Sequence, residues 1–176
     1  GERSWLNDYN FGILPSSDDR QDGFHIEVNS EKVEVHRCLA ITRGGSLIDI
    51  DGENIPALRR PFSELFQEYQ YTKMQEWYVV VKVNSYTREP FGKPDPDAKP
   101  LRQPHALPRY ELEIVPPERM DSLDLAWHSI PLARITRDTR GQARDINYIP
   151  PCTQIMASRA LVERFERFGL SFFKFV

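Results

Sequence analysis

Trp77-Tyr-Val-Val-Val-Lys-Val83 is the stretch that decides the fold. Its residues are almost all β-branched or aromatic, and the run is short, so it reads as a strand covered on both faces. A buried helix of the same length is the rival reading, and three consecutive valines favour the strand. Asn84-Ser85 ends the run. Tyr110-Glu-Leu-Glu-Ile-Val115 returns as a second strand with clean alternation. The rest of the chain is then expected to cover these two strands.

Upstream, Ser4–Leu14 is a dense apolar entry segment closed by Pro15. Phe24-His-Ile-Glu-Val28 alternates, placing Phe24, Ile26 and Val28 inward and His25 and Glu27 outward. Lys32–Ile41 runs back with Val33, Val35, Leu39 and Ile41 on one face. Arg37 interrupts that face, which predicts a bulge or a buried ion pair. Ser46–Ile50 follows as a third short strand, in the rhythm of an antiparallel sandwich. Phe62, Leu65, Phe66 and Tyr69 form one helical stripe over Pro61–Tyr69.

Downstream of Val115, Pro116-Pro117 stops the strand. Leu123–Trp127 and Ile130–Thr136 read as further strands, and Asp138–Ala143 as a charged turn. Leu161, Phe165, Phe168 and Phe172 are spaced as one stripe of a final helix that Ser158 would cap. So short a helix is marginal alone, and its stripe requires a partner surface. The expected fold is mainly β: an antiparallel β-sandwich over residues 1–157 with a long proline-rich arm at 85–109 and a short helix. A C-terminal amphipathic helix over 158–176 follows.

The arm, Ser85–Arg109, carries Pro90, Pro94, Pro96, Pro100, Pro104 and Pro108. Prolines at that frequency remove donors and fix φ, predicting an extended or polyproline-like segment with neither helix nor ladder. Irregular segments of this length inside a domain are usually functional or disordered. The arm is therefore read as a docking element, with Pro90, Pro94, Asp95, Pro96, Asp97, Pro100, Arg102 and Pro104 as its partner contacts.

The chain has 176 residues, enough for one domain, and a net charge of −3 gives no general attraction to nucleic acid or anionic membrane. No apolar run is long enough to span a bilayer, and no signal peptide opens the chain. Gly1 in place of Met suggests a piece of something longer. Cys38 and Cys152 lack CxxC spacing and are expected to be reduced, as in a cytoplasmic protein. The histidines His25, His36, His105 and His128 never fall at i, i+2 or i, i+4, so no metal pair is declared and no metal or cofactor is expected. Asp95-Pro-Asp97 and Asp49-Ile-Asp51 lack the ligand pattern of a calcium loop. No GxSxG, phosphate loop or dinucleotide fingerprint appears, and no catalytic residue is assigned.

Three segments together resemble a known family: Leu6-Asn-Asp-Tyr-Asn-Phe-Gly-Ile-Leu-Pro15, the Pro90–Tyr110 excursion, and Asn147-Tyr-Ile-Pro-Pro-Cys-Thr153. Their order and spacing, from about Leu6 to Ala157, are similar to those of the TssK family of type VI secretion baseplate proteins, in its Bacteroidetes-like form. Asn10, Gly12, Tyr148, Pro150, Pro151 and Cys152 are the motif positions. The resemblance implies an N-terminal β-sandwich shoulder like that of siphophage receptor-binding proteins, then a helical neck and a C-terminal domain. It also implies a non-enzymatic trimer in the bacterial cytoplasm, tying baseplate wedge proteins to the membrane complex. Ending at Val176, the chain would hold the shoulder and the start of the neck, with Leu161, Phe165, Phe168 and Phe172 packing between copies. The membrane-complex contact, made through the C-terminal domain, would lie outside it.

The residues alone leave a second class open. A β-sandwich that binds a ligand, for example a carbohydrate, would stack it on Trp5, Trp77 or Trp127. Trp127, beside His128, is the strongest of the three.

Overall fold

The computed structural model describes residues 10–17, 22–52, 55–68, 76–91, 96–97, 105–138 and 140–173. Strand β6 (Glu76–Phe91) contains the Trp77–Val83 stretch and pairs antiparallel with β7 (His105–Val115) on one edge and β8 (Ser129–Asp138) on the other. β9 (Gly141–Arg144) extends this second sheet beyond β8, giving the order β7-β6-β8-β9. The first sheet is built on β3 (Lys32–Ile41). One edge of β3 takes β2 (Phe24–Val28) and the short β1 (Gly12–Ile13); the other takes β4 (Leu47–Ile50) and β5 (Leu58–Pro61). The two sheets share one core, in which Phe24, Ile26, Val33 and Val35 meet Trp77, Val79, Val81 and Ile135.

Both faces of β6 are covered, as its composition requires. Trp77, Val79, Val81 and Val83 enter the shared core. Val80 turns the other way and is closed over by Val115, Leu125, Tyr78 and Met120. Leu125 belongs to the helix α2 (Leu123–His128), which replaces the strand expected over Leu123–Trp127. The alternating leucines suggested a strand, yet Leu123 and Trp127 are exposed and only Leu125 is buried. With β7 and β8 already on both edges of β6, a strand there could not have joined β6, whereas one helical turn and a half supplies a lid.

Two other expectations are corrected by register. On β3 the inward set begins with Val33 and Val35 but continues with Cys38 and Ala40, while Leu39 and Ile41 are only partly buried. The cause is the expected bulge: His25 faces Arg37 and Ile26 faces Val35, leaving His36 as the extra residue and flipping the alternation beyond it. Arg37 Nη2 donates to the Asp22 carbonyl at 2.8 Å. In the arm, a ladder does survive: Arg88, Glu89, Pro90 and Phe91 pair with Pro108, Leu107, Ala106 and His105. β8 reaches only as far as Lys82, so among the described residues this part of β6 has a partner strand on one edge only, and a proline's missing donor costs no bond on the other. Asn84 marks the transition: its Oδ1 accepts from the Tyr86 and Thr87 N–H at 3.2 and 3.1 Å, folding an irregular step into the strand. The charged turn over Asp138–Ala143 is a tight hairpin into β9, and the helix over Pro61–Tyr69 is α1 (Phe62–Glu68), anchored by buried Phe62 and Leu65.

Candidate functional site

The motif segments from the two ends of the chain meet. Ile13 N–H donates to the Pro151 carbonyl at 2.8 Å, and Thr153 N–H donates back to the Ile13 carbonyl at 2.9 Å. Gly12 makes this possible: its φ is +135°, and an added Cβ would lie 2.6 Å from the Pro151 oxygen. Pro150 is buried, and Tyr148 packs edge-on against Tyr78 at 5.6 Å between centroids. Asn10, at the other end of the motif, is exposed. The six motif positions thus lie in or beside one seam that closes the sandwich.

Asp145, which sequence reading missed, fastens the start of that seam. Arg134 Nε donates to its Oδ2 at 2.8 Å, and the Asn147 N–H donates to its Oδ1 at 2.8 Å. The Arg134 hydrogen bond, and then that of Asn147, hold the Asp145 carboxyl below the usual carboxylate range. A carboxyl depressed in the folded state stabilises fully above its unfolded value, about 4, and the contribution is lost as pH falls through the folded value. Asp145→Asn should therefore flatten the acid limb of stability against pH, measured as urea midpoints between about pH 5 and pH 2. Glu34 is depressed too and retains part of the slope. Identical acid limbs would discard the role given to Asp145.

The terminal helix α3 (Arg159–Phe173) leaves the same end of the fold. Its root is held tightly. Ala157 and Ser158 are buried, the Gly23 N–H donates to the Ala157 carbonyl at 3.2 Å, and the Arg159 N–H donates to Asp22 Oδ1 at 2.6 Å. The carboxylate at the helix start therefore comes from Asp22, a residue no local cap rule would nominate. Arg164 Nη2 adds a bond to the Asn147 carbonyl at 2.7 Å. Beyond the root the apolar stripe stands clear: Leu161 is half-buried, but Phe165 is 61% and Phe168 71% exposed. The Phe172 side chain lies outside the described residues. Met156, 61% exposed, and Ile155, 42% exposed, extend the apolar surface at the root, and neither was singled out from sequence.

On the arm, Pro90 is exposed and Pro96-Asp97 forms an exposed turn. Pro94, Asp95, Pro100, Arg102 and Pro104 lie outside the described residues. Tyr86, 99% exposed at the irregular step, adds a large side chain to the arm's surface.

Neither cysteine is set up as a nucleophile. Burial pushes the Cys152 thiol up to about 11 and the Cys38 thiol up to about 12, keeping both protonated and unreactive. A groove of about 540 Å³ runs between β5 and β7, but it is lined by charged side chains such as Arg59, Arg60, Arg109 and Glu111. Those charges are used within the fold: Arg59 on Glu34, Arg60 on Glu64 at 2.9 Å, and Arg109 on Glu111 at 3.4 Å. The stacking platform is corrected at Trp77, which is 2% exposed and part of the core. Trp127 is 48% exposed but sits on the lid helix, away from the groove, and Trp5 lies outside the described residues.

Residues 103–169 match a family model described as bacterial type VI secretion, VC_A0110, EvfL, ImpJ, VasE. That span covers β7, β8, β9, the Tyr148–Cys152 motif and most of α3. Over those residues the chain is similar to that family. Its fold is that of TssK from the type VI secretion system of EAEC in complex with a nanobody, at TM-score 0.56 and 16% identity over 92% of this chain. The TssK–TssF–TssG baseplate subcomplex gives 0.55 and 17% over 90%, and a type VI baseplate complex gives 0.56 and 15% over 92%. The chain spans about half of those solved chains, 53%, 55% and 54% respectively. No curated protein sequence matches it. The mainly β architecture of two antiparallel sheets agrees with the sandwich expected from sequence.

Proposed function

We propose that this chain is a non-enzymatic structural adaptor of a type VI secretion baseplate. Its sandwich docks to wedge proteins, and its terminal helix opens a neck where three copies pack in the bacterial cytoplasm. The fold likeness to TssK over nine-tenths of the chain, in structures that include a TssK–TssF–TssG subcomplex, carries the reading. Two features give it a surface. Phe165 and Phe168 present an apolar stripe on a helix whose root is fixed, and exposed stripes of that kind mark association sites. The arm adds a protruding two-stranded ribbon whose prolines lower the entropy cost of being ordered by a partner. Among the described residues no helix is long and apolar enough to cross a membrane.

Light scattering tests the neck. The chain should run as a multimer, and Phe165→Asp with Phe168→Asp should reduce it to monomer mass with unchanged melting, because both side chains are exposed in the single chain. A double variant that keeps its mass but unfolds more easily would make the helix intramolecular core and end the neck reading. The arm is tested in the same samples: a Gly/Ser linker in place of residues 93–104 should weaken capture of baseplate wedge proteins and leave melting unchanged. Undiminished capture would return the arm to a surface loop.

A further inference from the structure

The outer face of the first sheet brings together side chains that are far apart in sequence. β2 turns His25 and Glu27 outward, and β3 does the same with Glu34 and His36 up to the bulge. Glu27 and Glu34 are register partners, two carboxylates directly opposite each other, a destabilising pair unless cations compensate it. Glu34 is compensated: Lys32 lies at 3.1 Å and Arg59 at 2.5 Å. Glu27 faces imidazoles instead, with His36 Nε2 at 3.4 Å from one oxygen and His25 Nε2 at 3.6 Å from the other. His36 Nε2 is closed to solvent and makes no hydrogen bond, and the two rings are 5.2 Å apart between centroids.

Those two separations, each to a different oxygen of Glu27, are close to those of a chelate. Ligand atoms around a tetrahedral zinc at about 2.0–2.1 Å lie roughly 3.3 Å from one another, and two imidazoles sharing it through Nε2 hold their centroids roughly 5 Å apart. We propose that His25, Glu27 and His36 form a zinc-class divalent-cation site on the outer face of the first sheet, with water in the fourth position. Two imidazoles and one carboxylate favour zinc over the harder magnesium and calcium. Glu34 stands alongside, paired with Lys32 and Arg59. Glu27, Glu34 and His36 hold one ligand atom each within 4.8 Å of the others, and His25, with a 55% exposed side chain, would turn its Nε2 inward to complete the set with Glu27 and His36. The proposal rests on none of the docking argument.

Isothermal titration of the tag-free chain with zinc chloride is the test, with magnesium and calcium chloride as parallel titrants. One zinc per chain is expected, with no heat from the other two ions. His36→Gln and Glu27→Gln should each weaken binding by more than about tenfold, a loss that removing a mere supporting partner already causes. Cys152→Ser should leave binding intact. Each variant's metal-free melting should match that of the parent, and His25→Asn, at a 55% exposed side chain, replaces any variant that fails to fold. Absence of zinc binding, equal affinity in the ligand variants, or loss of binding in Cys152→Ser would each overturn the proposal.

Discussion

Trp77→Ala should lower stability by about 3–5 kcal/mol, the range for deleting a buried large aromatic side chain. Trp77 is among the largest fully enclosed side chains of the fold, at 2% exposure, and it opens the strand on which both sheets depend. Its removal leaves a void between the two sheets that Val79 and Val81, fixed by the ladders on either side, are too short to fill. For a chain of this size each kcal/mol moves the melting midpoint by roughly 2–4 °C, so the loss should read as about 6–20 °C. Tyr86→Ala, at 99% exposure on the same strand, is the matched comparison and should change stability by less than about 0.5 kcal/mol. Comparable losses at the two positions would show that the inner face of β6 is not the core.

Gly12→Ala should cost about 2–5 kcal/mol, combining a backbone conformation that L side chains avoid with overpacking. The new Cβ would meet the Pro151 oxygen at 2.6 Å, its carbon at 2.7 Å and the Cys152 nitrogen at 2.8 Å, all backbone atoms of a segment pinned on both sides. Relief requires the seam to open, which breaks the bonds from Ile13 to Pro151 and from Thr153 to Ile13. Gly141→Ala separates the two causes. Its φ of +124° is equally unfavourable, but nothing lies within 4 Å of the added Cβ, so it should show the conformational part alone. Urea midpoints for the two variants give the steric part by difference. Equal losses would mean that the seam yields without cost and does not close the sandwich.

How far the fold was readable follows from which forces are local. The valines of β6 and the alternation of β2 answer to burial at each residue, and their faces came out as read. Leu39 and Ile41 were misplaced because a single extra residue at His36, set by pairing with β2, shifts every later side chain to the other face. Leu123–Trp127 alternates like a strand, but the sequence does not reveal that β7 and β8 already occupy both edges of β6, the strand it covers. Pro90 and Pro108 argued against a ladder for the same reason: whether a missing donor matters depends on which edge faces solvent. At the candidate site, the helical spacing of Leu161, Phe165 and Phe168 was visible because it is local. Asp22 at the helix start, and His25 beside His36, were not, since register across strands brings them there.

The root of α3 has one more consequence, a mechanical one. Asp22 and Gly23, adjacent ahead of β2, and Asn147 tie the root and first turns of the helix to two separate stretches of the sandwich. With 15 residues it is a rod about 22 Å long, clamped at one end. A clamped rod magnifies rotation: a tilt of the sandwich by roughly 5° carries the far tip about 2 Å sideways. That displacement is comparable to the depth at which aromatic side chains interlock. Small swivels of the β layers are thereby converted into whole-ring offsets at the tip, and the geometry of whatever grips the tip dictates in turn how the β layers are aimed.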